Sequence, residues 1–480
     1  MSNSHITTRV RHAALAALVA AAALVALPMG AAPLGAQAPA ASSGAVEPAV
    51  PLAPRSITFA DAIDIALRQN GTLRQAQNTA ALDAATVRQQ RLQFLPDLRL
   101  SSSSAQNLGR NFSEAEGGIT NQTTQSLSAG VSSSLTLFDG LQNVASLRGA
   151  RLIEEASAGD VARARQTVVF TVASNYLALV SQQEQLRVQR ENLAAQTAQE
   201  EQIQKFVDAG ARPISDLYQQ QASVASARAS VVEAERSVEL AKVDLIQTLQ
   251  LDPRGSYDFV APVVASVADS AVGAREFQLD SLLARAFAGR VDLDAQTTRV
   301  SAAEQGVKAA AASRWPTMSL TAGYSSAFNS ATELGFVDQL DQRRGGSIGI
   351  GVSIPLFDRG STRLATERAQ LQADNASLTL ENQRQEVALQ VRRAYLDYDA
   401  ARGQLAAAQA QQRASDLAVS ASQERYRVGA ATLVELTQAR STQVQAASAV
   451  VSARYNLVFQ RALMSYYTGD LDPTKVTLGD

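Results

Sequence analysis

Two stretches of this chain repeat one pattern 219 positions apart. "KFVDAGARPISDLYQQ" (205–220) and "RYRVGAATLVELTQA" (425–439) each run from a helical pattern into a glycine (Gly210, Gly429). Small residues follow, then an acid (Asp216, Glu435), a leucine (Leu217, Leu436) and more helix. Other landmarks keep the same order. "ITFADAIDIALRQNGTL" (57–73) aligns with "FQLDSLLARAFAGRVDL" (277–293), and Pro96 with Pro316, both at 220 positions. Phe138 aligns with Phe357, and Tyr176-Leu177 with Tyr395-Leu396, both at 219. Solenoid units run only about 20–50 residues, so this period marks the duplication of a domain-sized unit. Any fold for this chain must accommodate one order of elements twice.

Each half reads as two helices, a strand pair and a long helical hairpin. Thr58 is placed to cap a helix over 59–70, with Asp61 favourable at its positive end. A second helix over 72–93 is stopped by Pro96. From Leu141 to Val207 there is no proline, and Val172, Leu179, Leu186 and Leu193 recur every seven residues, as in coiled-coil packing. One helix of that length would run about 100 Å. Past Gly210, Leu217, Val224, Val231, Val238 and Leu245 keep the same spacing over 214–250, and the second half repeats the scheme at 361–427 and 433–467. The returning helix and the 72–93 helix together nearly match the long one. That implies a long helix flanked by two shorter ones along its length, with the heptad leucines serving packing.

The segments between helices have another period. "SIGIGVSIPL" (347–356) alternates Ile348, Ile350, Val352, Ile354 and Leu356 with serine and glycine. "QSLSAGVSSSLTL" (125–137) and "TMSLTAGYS" (317–325) do the same, and "DLRLSSSS" (97–104) more weakly. Strands are expected at about 97–107, 125–138, 317–328 and 345–357. Segments of about ten alternating residues are the pattern of membrane β-barrels, although a soluble sheet with one wet face also alternates. Three features favour the membrane. The polar face is built of small residues. Trp315, the sole tryptophan, stands beside Pro316 at a strand mouth, and Phe138 and Phe357 hold strand exits, where interfacial aromatics belong. No internal apolar run approaches the about 18 residues of a transmembrane helix. "GRNFSEAEGGITNQT" (109–123) and "NSATELGFVDQLDQ" (329–342) are then outside loops. Four strands cannot close a barrel, and open edges cannot sit in lipid, so the protomer must associate. Eight strands make a barrel filled by side chains; twelve, from three copies, leave a lumen.

The N-terminus reads as a secretory signal: Arg9 and Arg11, the apolar run "AALAALVAAAALVAL" (13–27), Pro28, then small residues. Residues 1–40 are expected to be removed, with cleavage between Ala36 and Ala41. Residues 41–56 then form a disordered lead-in, 251–276 a linker and 472–480 a tail. The first repeat covers 57–276 and the second 277–471. Removal takes two arginines and leaves a net charge of about −4, which offers no surface to nucleic acid. Cysteine is absent, so there is neither a disulfide framework nor a thiol for a lipid anchor. Both histidines, His5 and His12, lie in the signal segment. The exported chain therefore lacks the means for Ser-His-Asp or Cys-His nucleophiles and for the usual zinc sites. With no nucleotide motif either, it reads as a non-enzyme without cofactor.

In their order and spacing, the "LFDG" (137–140) and "LFDRG" (356–360) exits, the two glycine turns, the strand pairs and the signal segment resemble the TolC-like outer-membrane efflux family. The resemblance covers about Ser56 to Leu471. It implies an α+β membrane protein: a homotrimer with a 12-stranded outer-membrane barrel, four strands per protomer, continued by a coiled-coil helical barrel across the periplasm. Partners would be outer-membrane lipid, a periplasmic adaptor and an inner-membrane pump, in efflux or type I secretion. The duplicated turns would line the periplasmic aperture. Tyr426, Glu435 and Asp216, the last preceded by Ser215, match the family's constriction residues, and three copies of Glu435 would form a carboxylate ring that draws in cations. Two positions depart from the pattern: Gln438 stands where a second acid is expected. Ala431 stands where a base is expected, with Arg212 at that place in the first repeat.

Simpler roles fit the same acids. "TLVE" (432–435) is a capping box in which Glu435 reaches back to the backbone N–H of Thr432, and Asp216 suits a first helical turn after Pro213. Alternatives for the whole chain are a periplasmic scaffold or adaptor without a pore, and a trimeric autotransporter-type adhesin, whose strands would cluster at the C-terminus rather than interleave. Intact-mass analysis of the exported protein is expected to place its N-terminus between Gln37 and Ala41. A mature chain that keeps residues 1–40 would contradict the signal reading.

Overall fold

The computed structural model describes residues 55–113, 117–121, 123–260, 277–332 and 334–471. The signal segment, nearly all of the lead-in, much of the linker and all of the tail lie outside the described residues. After strand β1 (Arg55–Ile57) come helices α1 (Phe59–Gln69) and α2 (Gly71–Leu92), strand β2 (Arg99–Asn107), a hairpin of β3 (Arg110–Ser113) and β4 (Gly118–Asn121), and β5 (Thr124–Phe138). The long helix α3 (Gln142–Asp208), α4 (Ile214–Leu249) and β6 (Tyr257–Phe259) complete this half. The second half supplies α5 (Leu279–Gly289), α6 (Val291–Ala312), β7 (Thr317–Asn329), α7 (Phe336–Gln342), β8 (Gly345–Ser353), α8 (Ser361–Arg427) and α9 (Leu433–Thr468). The duplication is visible helix by helix. α1 and α5 have 11 residues each, α2 and α6 22, α3 and α8 67, α4 and α9 36.

The chain divides into two compact units. One comprises 85–151 and 302–373 and holds the main sheet; the other comprises the described parts of 48–84, 152–301 and 374–480. In the first unit β2, β5, β7 and β8 form one antiparallel sheet in that order. The central β5–β7 ladder pairs a strand of one repeat with a strand of the other, so the two expected strand pairs are a single sheet. Its register sorts the side chains. Leu100, Val131 and Tyr324 share a row, as do Leu135, Leu320 and Ile350, and Met318 and Val352. The opposite face carries Ser101, Ser103, Ser128, Gly130, Ser132, Ser319, Thr321, Gly323, Ser347, Gly349 and Gly351. One face is mainly apolar across β5, β7 and β8, with Ser133 among its residues and Ser102, Ser104 and Gln106 of edge strand β2 also on it; the other is almost all hydroxyl and glycine. β2 and β8 are edges, each with one unpaired side.

In the second unit, Tyr176 of α3 is the hub of the largest core. Its ring meets Phe59 edge-on at 5.3 Å, and its hydroxyl lies within hydrogen-bond distance of the carbonyls of Ile57 and Val260. Burial, with the charges of Asp258 and Asp61, pushes the phenol up to about 12. α3 is flanked as the length argument requires. The Ser157 hydroxyl donates to Asp83 of α2, and the Gln220 amide of α4 donates to the backbone and side-chain oxygens of Gln196. Thr58 and Asp61 form a reciprocal capping box at α1.

Three expectations need correction. Residues 55–56 and 257–259, assigned to the lead-in and the linker, belong to a parallel ladder of β1 with β6, held by the buried Ile57 and Phe259. The outside segments are more than loops: 109–123 contains the β3–β4 hairpin, with positive φ at Gly109 and Gly117, and 329–342 contains α7. Strand β8 stops at Ser353, so Ile354, Leu356 and Phe357 continue without ladder bonds and are exposed.

The strand-to-helix exits explain the repeated "LFD". Asp139 accepts the Asn143 N–H at 2.9 Å. Asp358 accepts from the Thr362 and Gly360 N–H groups at 2.8 and 2.9 Å and from the Ser361 hydroxyl at 3.1 Å. These bonds, Thr362's first, hold the Asp358 carboxyl well below the usual carboxylate range. Both acids stand at the positive helix end. Two consecutive residues then take positive φ: Gly140 and Leu141 in the first repeat, Arg359 and Gly360 in the second. Either position can carry the glycine, which is why the motif reads "DGL" once and "DRG" once. Gly140 is also crowded, because a Cβ there would lie 2.4 Å from the Ala312 carbonyl and 2.8 Å from Trp315 Cβ. Gly140→Ala should lower the thermal midpoint of the detergent-solubilised protein by adding a clash and about 1–3 kcal/mol of backbone strain. Leu141→Gly, which relieves strain, should not. The reverse order of midpoints would contradict this account.

Candidate functional site: the paired helix turns

The two glycine turns have the same backbone construction. In the first, Gly210 N–H donates to the Val207 carbonyl at 2.9 Å and Ala211 N–H to the Phe206 carbonyl at 2.8 Å. In the second, Gly429 N–H donates to Tyr426 at 3.1 Å and Ala430 N–H to Arg425 at 2.8 Å. This is the Schellman closure of a helix C-terminus, which needs a residue at positive φ. Gly210 and Gly429 sit at φ +71° and +79° with open space where a Cβ would be, so the glycine is there for its conformation.

The next helices start differently. Pro213 precedes α4 without a side-chain cap, whereas the Thr432 hydroxyl accepts the Glu435 N–H at 3.2 Å. The other half of the expected capping box changes partner. The Glu435 carboxylate accepts from the Thr432 hydroxyl at 3.4 Å and pairs with Arg425 at 3.4 Å, instead of reaching the Thr432 backbone N–H. Arg425, in the last turn of α8, brings a cation within reach of that carboxylate.

A clasp joins the turns within one chain. Arg212 donates to the Tyr426 carbonyl at 2.6 Å and lies over the Tyr426 ring at 4.4 Å, while the Tyr426 hydroxyl donates to Asp216 at 3.4 Å. Tyr426 is only 2% exposed and packs with Ile203, Leu217, Ala431, Leu433 and Leu436. Burial, then the Asp216 charge, pushes its phenol above the ordinary 10.0, so it keeps the donor proton through neutral pH. Ala431, at the position where a base is expected, is one of the residues that cover the ring. Of the sequence-identified residues, the structure brings together Tyr426, Arg212 and Asp216; Ser215 and Glu435 remain exposed on the first turns of α4 and α9, and Gln438 on the second turn of α9. Pro96, Phe138, Trp315 and Phe357 are exposed around the strand-helix junctions, and Pro316 half-buried.

Two supporting residues carried no recognisable sequence signal. Arg440 of α9 donates to the Ala195 carbonyl at 3.0 Å and the Gln199 side chain at 3.2 Å on α3, and Gln185 of α3 donates to the Ser448 carbonyl at 2.9 Å. They bind one repeat's hairpin to the other's, and only the three-dimensional pairing of α3 with α9 reveals them. Among the described residues, no group of acids could hold a metal ion, and no helix is long and apolar enough to cross a membrane.

Two repeats, each supplying two strands of one sheet and one helical hairpin, with the hairpin tips clasped to each other, define a class of protein. The sequence profile of the outer membrane efflux protein family matches residues 62–249 and 282–469, one span in each repeat, and the chain belongs to that family. It is similar to the outer membrane efflux protein BepC of Brucella suis, at 24% identity over 73% of each chain. It is also similar to the outer membrane protein TolC of Vibrio cholerae, at 24% identity over 84% of this chain and 87% of that one. Among solved structures the fold is shared with CusC, at a TM-score of 0.73 and 18% identity, over 86% of this chain and 92% of that one. The protein is an outer-membrane protein.

The clasp makes a local prediction. Arg212→Ala removes a cation–π contact and a charged hydrogen bond, together worth about 2–4 kcal/mol at a half-buried site. Hydrogen exchange should quicken in both turns, 205–217 and 424–436, while the exposed Gln438→Ala change leaves it unaltered. Quickening confined to the first turn would contradict the clasp. The raised Tyr426 phenol sets the pH sign: folded and unfolded states share the proton below 10, so its contribution is lost only as pH rises above 10.

Proposed function

We propose that this protein is the passive exit duct of a tripartite efflux system. Three copies join their sheets edge to edge into a 12-stranded outer-membrane barrel. The long helices continue it as a coiled-coil barrel through the periplasm. Cargo enters from an inner-membrane pump through a periplasmic adaptor, and the energy comes from the pump. The observation that carries this reading is the sheet: one apolar face, one face of hydroxyls and glycine, and two unpaired edges. Lipid can meet the first face and water the second, and each unpaired backbone group left in lipid costs several kcal/mol, which drives closure between copies. Support also comes from the family and from CusC, whose structure is described in terms of transmembrane channel formation.

The duplicated turns form the periplasmic aperture. Glu435, Ser215 and Gln438 are exposed and available to the axis, with Glu435 supplying a ring of three carboxylates. Tyr426, Arg212 and Asp216 hold the two tips of each protomer together, so they set the aperture's width by fixing its frame. With Gln438 and Ala431 in place of an acid and a base, this ring carries less charge than the family pattern.

Single-channel conductance in a planar bilayer tests both halves of the proposal. The intact protein should conduct weakly, and a Tyr426→Ala/Glu435→Ala double variant should conduct more strongly and with weaker cation preference. Equal, large currents would move the constriction elsewhere. No current from either protein, once inserted, would overturn the duct and favour a scaffold.

A further inference from the structure

Helix α7, in the segment expected to be a plain loop, lies on the apolar face of the sheet. The Ser326 hydroxyl of β7 donates to the Leu340 carbonyl at 2.7 Å, and the Phe328 ring meets Phe336 edge-on at 5.1 Å. Ser326 and Phe328 continue the row of Leu320, Ala322 and Tyr324, which is the apolar face. Gln339, 0% exposed, accepts the Asn329 N–H at 2.9 Å and donates to the Leu334 carbonyl at 2.7 Å. These bonds satisfy inward the polar groups where helix and sheet meet. Outward, α7 and the residue before its cap present Leu334, Phe336 and Val337, the last 66% exposed, with the exposed Asp338 beside them in the first turn.

That arrangement is costly in water but natural beside lipid. The outward apolar groups sit at the loop end of the face that already exposes Tyr324, Ile348 and Ile350. Charges bound the patch. Asp341 pairs with Arg344 at 2.7 Å, and Arg343 donates to the Thr332 hydroxyl at 2.8 Å. A short apolar patch bordered by acids and arginines, at the end of a lipid-facing sheet, suits the headgroup boundary and not the acyl core.

We propose that α7 is an outer-leaflet anchor. It rests outside the barrel wall at the boundary of headgroups and acyl chains, holding the rim beside edge strand β8 to the lipid surface. This inference rests on the reading that the apolar face of the sheet meets lipid.

The absence of cysteine from the chain makes the test clean. An environment-sensitive dye is attached to Val337→Cys, Ile350→Cys or Ser347→Cys in the full mature protein, reconstituted in phosphatidylcholine vesicles. Quenchers are lipids brominated on the upper acyl chain, and iodide in the water. Val337 and Ile350 positions should both lose emission to bromolipid, while Ser347, on the hydroxyl face, should not. If Ile350 responds but Val337 is quenched only by iodide, α7 sits in water and the anchor is overturned while the barrel stands. If Ile350 responds and neither quencher reaches Val337, a second copy of the chain covers α7, which also overturns the anchor. If Ile350 itself ignores bromolipid, the face assignment fails and the anchor falls with it.

Discussion

The interaction on which the rest depends is the one this sheet cannot complete alone. β2 and β8 each leave one side of a ladder unpaired, on a sheet whose apolar face is, among the described residues, covered only at its loop end by α7. Water could solvate those edges but not cover that apolar face; lipid could cover the face but not satisfy the edges. In the proposed barrel, pairing with further copies would satisfy the edges while lipid covers the face, and the face of serine, threonine and glycine would line an aqueous bore.

The duplication distributes these demands evenly. Each repeat supplies two strands, one long helix and one turn, and each exit from the sheet uses an aspartate at the helix start followed by two residues at positive φ. The repeats diverge where they meet. The clasp needs Arg212 from one turn and Tyr426 from the other, and neither has its like at the corresponding position, where Ala431 and Val207 stand. Duplication gives symmetry of frame; divergence lets one turn grip the other. The proposed ring of carboxylates at Glu435 would need such a frame, because like charges gathered near an axis repel one another.

Long, regular elements were legible in the sequence. The heptads Val172–Leu193 and Leu217–Leu245 identify the helices, the proline-free run from Leu141 and the turn at Gly210 place their ends to within a residue or two, and the alternation of Ile348, Ile350 and Val352 identifies a strand and its faces. The turn glycines were legible because positive φ leaves few choices. Three-residue strands were not: β1 and β6 have no period to read and owe their place to Tyr176. Helix α7, at seven residues, spans barely two turns, and its seating depends on Gln339 finding Asn329 across a loop. The burial of Tyr426 was hidden for a different reason, since Arg212, which lies over its ring, is 214 positions away. Glu435 has more than one partner within reach, and local sequence does not rank Arg425 above a backbone N–H.

The number of copies tests the central claim most directly. Native mass spectrometry of the detergent-extracted protein, with lipid stripped in the gas phase, reads that number without assuming a shape. This account predicts three chains per particle, because twelve strands close the edges and leave a bore. A stable monomer, with two edges unpaired in the detergent core, would contradict it.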